Sequence, residues 1–342
     1  MTGIRPAPTP AAGRFLEEAH TLWYNDRMLT IISKVTVIFA MMAVGFIANK
    51  KWILPNQADG AINAYVLNIA CPCMILHSMA NAGFGGSALT ESAQVFIGTI
   101  VYFAVTIALA WLFVRAIGYT PREDHGVMIV LTSCMNTGFM GFPITKAIFG
   151  NYYLFLMVIE NILLNVYLFI VSPQLMRIGE SSSRKQRSRL RMLLQPNTLA
   201  TAAGLVLLLL QVEMPGPLNE FFETIGDSTI PLSMIMIGYQ LAQRNVRQVL
   251  VNHKLVAACF VRMLAFPVLT FLAVNWLPIA DAAKVILIFA ACFPTAVIPA
   301  TIAADEGKNA GLLSEGIALT TAMSIVTLPL AAFFLMNWYG IG

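Results

Sequence analysis

Asn136-Thr137-Gly138-Phe139-Met140-Gly141-Phe142-Pro143 interrupts an otherwise apolar run from Gly126 to Phe149. This stretch cannot form a regular helix. Two glycines favour non-helical backbone, and the proline removes an amide donor and strikes the preceding turn. In hydrocarbon each freed carbonyl costs several kcal/mol unless it finds a partner or lines a cavity. The pattern recurs once, at Pro294-Thr295-Ala296-Val297-Ile298-Pro299, inside the apolar run from Ala282 to Ala304. Two half-helices starting near the middle of a bilayer would aim their partly positive N-termini at one cavity and hold an anion without a buried arginine. The competing reading is a pair of packing kinks.

The rest of the chain fits a membrane setting. Hydrophobic residues make up 58% of the 342 and charged residues 11%, with a mean hydropathy of +0.74. Soluble domains carry about 25% charged residues. This composition excludes a soluble enzyme, a disordered chain and a nucleic-acid binder, and leaves a polytopic helical protein of the lipid bilayer. Ten spans are expected: Leu29 to Asn49, Ala61 to Met79, Ala93 to Ala116, Gly126 to Phe149, Leu154 to Met176, Asn197 to Val212, Phe221 to Ala242, Leu255 to Trp276, Ala282 to Ala304 and Leu312 to Trp338. The five cysteines all lie in apolar runs and imply no disulfide framework.

Lysine and arginine fall in alternate loops. One set carries Lys50 and Lys51; Arg115 and Arg122; Arg177 through Arg191; Arg244, Arg247 and Lys254; and Lys308. The intervening loops have none. By the positive-inside rule both termini face away from the cytoplasm, in a cell membrane (the inner one of a bacterium). The basic run from Arg184 to Arg191 either fixes topology or binds anionic lipid. The division expected is a tail, 1–28; a first five-helix repeat, 29–176; a basic linker, 177–196; and a second repeat, 197–342. Phe15 to Arg27 reads equally as a surface amphipathic helix or a solvated tail. An odd number of spans per half inserts the halves in opposite senses, as in inverted-repeat transporters. The pairs Pro72/Pro231 and Pro143/Pro299 fall at corresponding places.

At the family level the chain resembles the auxin efflux carriers, including the plant PIN-type carriers, within the wider bile acid/auxin/arsenite transporter superfamily. The resemblance rests on the two broken stretches above. It also rests on Leu313-Ser314-Glu315-Gly316, Leu328-Pro329, Asp227 with Gly238, Val261-Arg262 before Pro267, and Pro72 with His77, and it covers about residues 30 to 338. It implies an all-α fold of ten transmembrane helices, built as two inverted five-helix repeats. A scaffold and a transport domain then flank the crossing fourth and ninth helices, where organic anions bind, and bacterial relatives move small carboxylates. The central loop here is short, and the third span has only Glu91 and Gln94 near its start.

The expected function is secondary active transport of a small organic anion, a mono- or dicarboxylate or an auxin-like aromatic acid, by alternating access. An anion channel or a transport-like receptor of the same fold is the alternative. Substrate contacts are expected from Asn136, Thr137, Gly138, Gly141, Pro143, Asn161, Pro294, Thr295, Val297, Ile298 and Pro299. Asn136 would either hydrogen-bond a carboxylate or cap the broken backbone. Ionisable groups within the membrane need a reason to be there. His77, Glu160 and Asp227 are therefore candidates for coupling to a proton or Na⁺. Each has a plainer alternative: a packing histidine, an interfacial acid near the outer end, and a helix cap. Arg262 reads as structural, either paired with an acid or snorkelling, and Lys146 and Lys284 as snorkelling. No Walker, metal-ligand or nucleophile–base pattern is present, so no enzyme, cofactor or metal is expected. A homodimer is left open.

Overall fold

Four prolines shape the helices in one way. Proline lacks an N–H and its ring strikes the carbonyl four residues back. A five-residue π turn precedes each of Pro72, Pro143, Pro173 and Pro267: Val66–Ala70, Thr137–Gly141, Tyr167–Val171 and Val261–Ala265. The residue just before each proline donates its N–H five residues back: Cys71 to Val66, Phe142 to Thr137, Ser172 to Tyr167 and Phe266 to Val261. The widened turn makes room for the ring and keeps the backbone paired, which hydrocarbon demands.

The computed structural model describes residues 33, 36–55, 58–81, 87–178, 194–212, 214–243 and 251–341. The N-terminal tail with its amphipathic stretch, the basic run from Arg184 to Arg191, Arg244 and Arg247 lie outside them. The described residues are helical and contain no strand. In chain order the helices are α1 (Thr36–Lys50), α2 (Ala58–Ala80), α3 (Ala88–Ala116), α4 (His125–Ser133), α5 (Phe142–Phe149), α6 (Asn151–Leu175), α7 (Pro196–Leu209), α8 (Gly216–Asp227), α9 (Thr229–Gln243), α10 (His253–Asn275), α11 (Asp281–Ala291), α12 (Ile298–Asp305) and α13 (Ala310–Tyr339).

Among the described residues, six stretches are long and apolar enough to cross a membrane: α2, α3, Arg122–Phe149 counted across its break, α6, α10 and α13. Of the remaining spans expected, α1 and α7 are apolar but shorter. The seventh is interrupted at Ser228, and the ninth by the non-helical residues 292–297. Arg122–Phe149 is the most buried of the six, with 89% of its apolar window inside the protein, against 33% for α3 and α10. A broken helix needs partners for its freed backbone, and that is where this chain places it.

Packing separates two groups of helices. α2 lies against α7, α8 and α9; α3 to α6 and α10 to α13 form the other group. Contacts in the first half have counterparts in the second. α3 packs on α4 as α10 packs on α11. α11 lies against α3 and α6 as α4 lies against α10 and α13, and α5 meets α6 as α12 meets α13. α1 crosses α9 backbone to backbone. A Cβ at Gly238 would run into the carbonyl of Met42, and one at Gly45 into the carbonyl of Ile235. Since neither carbonyl is the end of a flexible side chain, the helices must part. Gly238→Ala is expected to cost about 1–3 kcal/mol, lowering the thermal midpoint in detergent by several degrees. Gly60→Ala, which meets open space, should leave the midpoint unchanged.

Candidate functional site

Both broken helices stop and restart around one guanidinium. α4 ends at Ser133, and residues 134–136 run non-helically into the π turn at Thr137–Gly141. α11 ends at Ala291, and the chain resumes helix at Ile298. Each restart carries its proline at the second position, Phe142-Pro143 and Ile298-Pro299. Arg262, fully buried on α10, donates from Nε to Cys134 O at 2.7 Å, from Nη1 to Ala291 O at 2.8 Å and from Nη2 to Phe293 O at 2.6 Å. Arg262 thus neither pairs with an acid nor snorkels. Each helix C-terminus carries roughly half a negative charge, so two such ends together balance one guanidinium.

The restarts face a cavity of about 190 Å³ lying between the two groups of helices. Asn136, Gly138, Asn161, Val297 and Ile298 line it, together with Phe139, Ala296 and Thr301. Opposite them are Asn63, Gln195, Asn197 and Gln240. No charged side chain appears in this lining, and most of its polar groups are carboxamides. The amides are pre-positioned: Asn161 Nδ2 donates to Thr137 Oγ1 at 3.2 Å, Asn165 Nδ2 to Asn161 Oδ1 at 3.1 Å, and Asp59 Oδ1 accepts from Asn63 at 2.6 Å and Gln240 at 2.9 Å. Asn136 makes no cap bond at the π turn, and its side chain faces the cavity. Asn63, Gln195, Asn197 and Gln240 lie near the helix ends that adjoin the basic loops, so the cavity runs from the breaks toward that end.

Polar contacts join the helices at the opposite end. Lys146 Nζ meets Asp227 Oδ1 at 2.6 Å, tying α5 to α8, and Ser78 Oγ donates to Asn151 O at 3.0 Å, tying α2 to α6. His77 Nδ1 is 3.1 Å from Asn219 Oδ1, and its Nε2 is 3.9 Å from Glu223. Lys146 and Lys284 are ion-paired, Lys284 with Asp281 at 3.1 Å. Each ammonium thus reaches a largely exposed carboxylate, a partner that the snorkelling expected from the sequence did not name.

The remaining expected site residues lie behind the cavity wall. Thr137 holds Asn161, and Gly141 packs between Thr137 and Phe293. Thr295 Oγ1 donates to Leu131 O at 2.7 Å, and Pro143, Pro294 and Pro299 are buried. Glu160 is not at an outer interface. It is completely buried beside Thr137, and neither carboxylate oxygen has a hydrogen bond of good geometry to a described residue. Sequence reasoning missed Asn63, Gln195, Asn197 and Gln240 as cavity residues. The available signal was the recurrence of carboxamides near helix ends facing the basic loops.

A family model described as "Membrane transport protein" matches residues 30–332. The chain belongs to that family. It is a multi-pass transporter of the membrane, and the resemblance to auxin efflux carriers drawn from the broken helices holds. A protein of Methanothermobacter thermautotrophicus named "Uncharacterized transporter" is 25% identical over 306 residues, covering 86% of this chain and 95% of the relative. A Methanocaldococcus jannaschii protein described in the same terms is 22% identical, covering 89% of this chain and 98% of its own length. A Rhizobium meliloti protein named "Putative malonate transporter" is 23% identical, covering 88% of this chain and 94% of its own.

Proposed function

We propose that this family member is a secondary active transporter of a small organic anion, with a short dicarboxylate such as malonate the first candidate. The observation that carries this reading is the cavity, a carboxamide-lined space bounded by two half-helix N-termini. Amide donors and helix N-termini bind carboxylates, while the absence of a cationic side chain in the lining keeps the anion releasable. The Rhizobium meliloti relative supports malonate as the ligand to try first. The matching contacts of the two halves support two inverted five-helix repeats spanning ten times. The cavity's open end and the Lys146–Asp227 and Ser78–Asn151 contacts support an alternating-access cycle, seen here open toward the basic loops.

Among the three coupling candidates Glu160 fits best. Asp227 is held by Lys146 and His77 by Asn219, both at the end away from the cavity. Glu160 sits beside the cavity's Asn161–Thr137 pair, with neither carboxylate oxygen in a hydrogen bond of good geometry to a described residue. An ionised carboxylate in such a place is costly, so it needs a cation during part of the cycle. One carboxylate suffices for a proton, whereas Na⁺ requires a shell of oxygens. Glu160→Gln, in proteoliposomes given labelled malonate outside, is expected to abolish the response of net uptake to an imposed pH gradient while retaining counterflow into vesicles preloaded with unlabelled malonate. A Gln variant whose uptake still follows the pH gradient would remove Glu160 from coupling. Saturable counterflow in the wild type separates a carrier from a channel, and its absence alongside malonate binding would favour the receptor.

A further inference from the structure

A second concave site lies away from the crossover, where α3 meets the turn leading into α4. Trp111, Arg115, Gly118, Tyr119, Arg122 and His125 line an open surface concavity of about 470 Å³. The guanidinium of Arg115 stacks over the Trp111 ring at 4.9 Å. Lys254 Nζ reaches the wall of the site, donating to Gly118 O at 2.6 Å. No acidic side chain lines this space. The neighbouring Asp124 is buried and accepts from Asn309 at 2.9 Å. Among the described residues neither Arg115 nor Arg122 has a carboxylate partner.

The depth of the site identifies its ligand. α3 has 29 residues, or about 43 Å at 1.5 Å per residue, which matches a bilayer including its headgroups at roughly 40–45 Å. Arg115, in the last turn, therefore stands at headgroup level, with Trp111 one turn deeper where interfacial aromatics sit. Trp111 and Leu112 are exposed on the same turn, so an apolar path leads from the arginines into hydrocarbon. We propose that this is a binding site for an anionic phospholipid. Its phosphate is held by Arg115 and Arg122, and its acyl chains run past Trp111 and Leu112. Basic pockets between transmembrane helices take such headgroups by this combination of charge and depth. The site is carried by α3 and α4, in the helix group that holds the broken helices, so bound lipid would load the group whose movement the transport cycle requires.

The test uses the full-length protein in neutral phosphatidylcholine micelles, titrated with phosphatidylglycerol and followed by its thermal midpoint. Phosphatidylglycerol is expected to raise the midpoint where added phosphatidylcholine does not. At roughly 1 kcal/mol per basic residue, Arg115→Gln and Arg122→Gln should each raise the half-saturating lipid concentration about fivefold, and the double variant about thirtyfold. Lys51→Gln, in another basic loop, should match wild type. Should the double variant fail to purify, Arg122→Gln, on an exposed turn, gives the same reading. Inorganic phosphate and glycerol 3-phosphate should not compete. Equal responses to the two lipids, an equal loss in Lys51→Gln, or a matching effect of soluble phosphate would each overturn the proposal.

Discussion

Arg262→Met is expected to leave the protein unable to hold its two broken helices together. The guanidinium donates to three buried carbonyls, Cys134 O, Ala291 O and Phe293 O. Hydrogen bonds from a charged donor contribute roughly 1.5–3 kcal/mol each, and a buried acceptor left unpaired costs about 1–3 kcal/mol. Methionine fills much of the volume and supplies no donor. The loss should exceed about 5 kcal/mol, comparable with the whole stability of many domains. The variant should aggregate on extraction or show a midpoint more than about 10 °C below wild type by fluorescence-monitored melting. Arg262→Lys should fall between, because one ammonium cannot reach three carbonyls in a fixed fork. An Arg262→Met protein that melts like wild type would show that the carbonyls find other partners.

Asn136→Ala is expected to act on function and not on folding. Its amide has no cap bond to lose, and alanine leaves no buried charge. A hydrogen bond from this amide to a carboxylate is charge-assisted and worth roughly 1.5–3 kcal/mol, so apparent affinity for the transported anion should fall about ten- to a hundredfold. Pro143→Ala and Pro299→Ala probe different ground, since both rings are buried behind the wall. They should alter transport only by letting the π turn or the loop relax toward continuous helix.

Much of this arrangement was legible in the sequence, because proline and glycine act locally. Gly138, Gly141 and Pro143 forbid a regular helix whatever surrounds them, and the structure breaks there and again before Pro299. The form of the break was less legible. A π turn before Pro72, Pro143, Pro173 and Pro267 is a way of satisfying backbone in hydrocarbon, and only Pro143 and its neighbours announced an interruption. Arg262 was read as structural, but its partners lie more than a hundred residues away at Cys134 and about thirty away at Ala291 and Phe293. A side chain in an apolar run does not say which carbonyls it will meet. For Glu160 the sequence leaves a coupling group and an interfacial acid both open, because its position along the fifth span does not determine depth or helix face. The cavity's far wall was missed for the same reason. Asn63, Gln195, Asn197 and Gln240 are unremarkable in sequence, and the crossing of α1 with α9 and of α2 with α7 brings them opposite Asn136.

The most direct measurement is isothermal titration of the purified wild type and of Asn136→Ala with malonate, with a longer dicarboxylate and a neutral diamide in parallel. Saturable binding of malonate to wild type, about ten- to a hundredfold weaker binding to Asn136→Ala at an unchanged melting midpoint, and no binding of the diamide are the predicted results. Malonate binding equally well to both proteins would contradict the account and reduce the crossing helices to a packing feature.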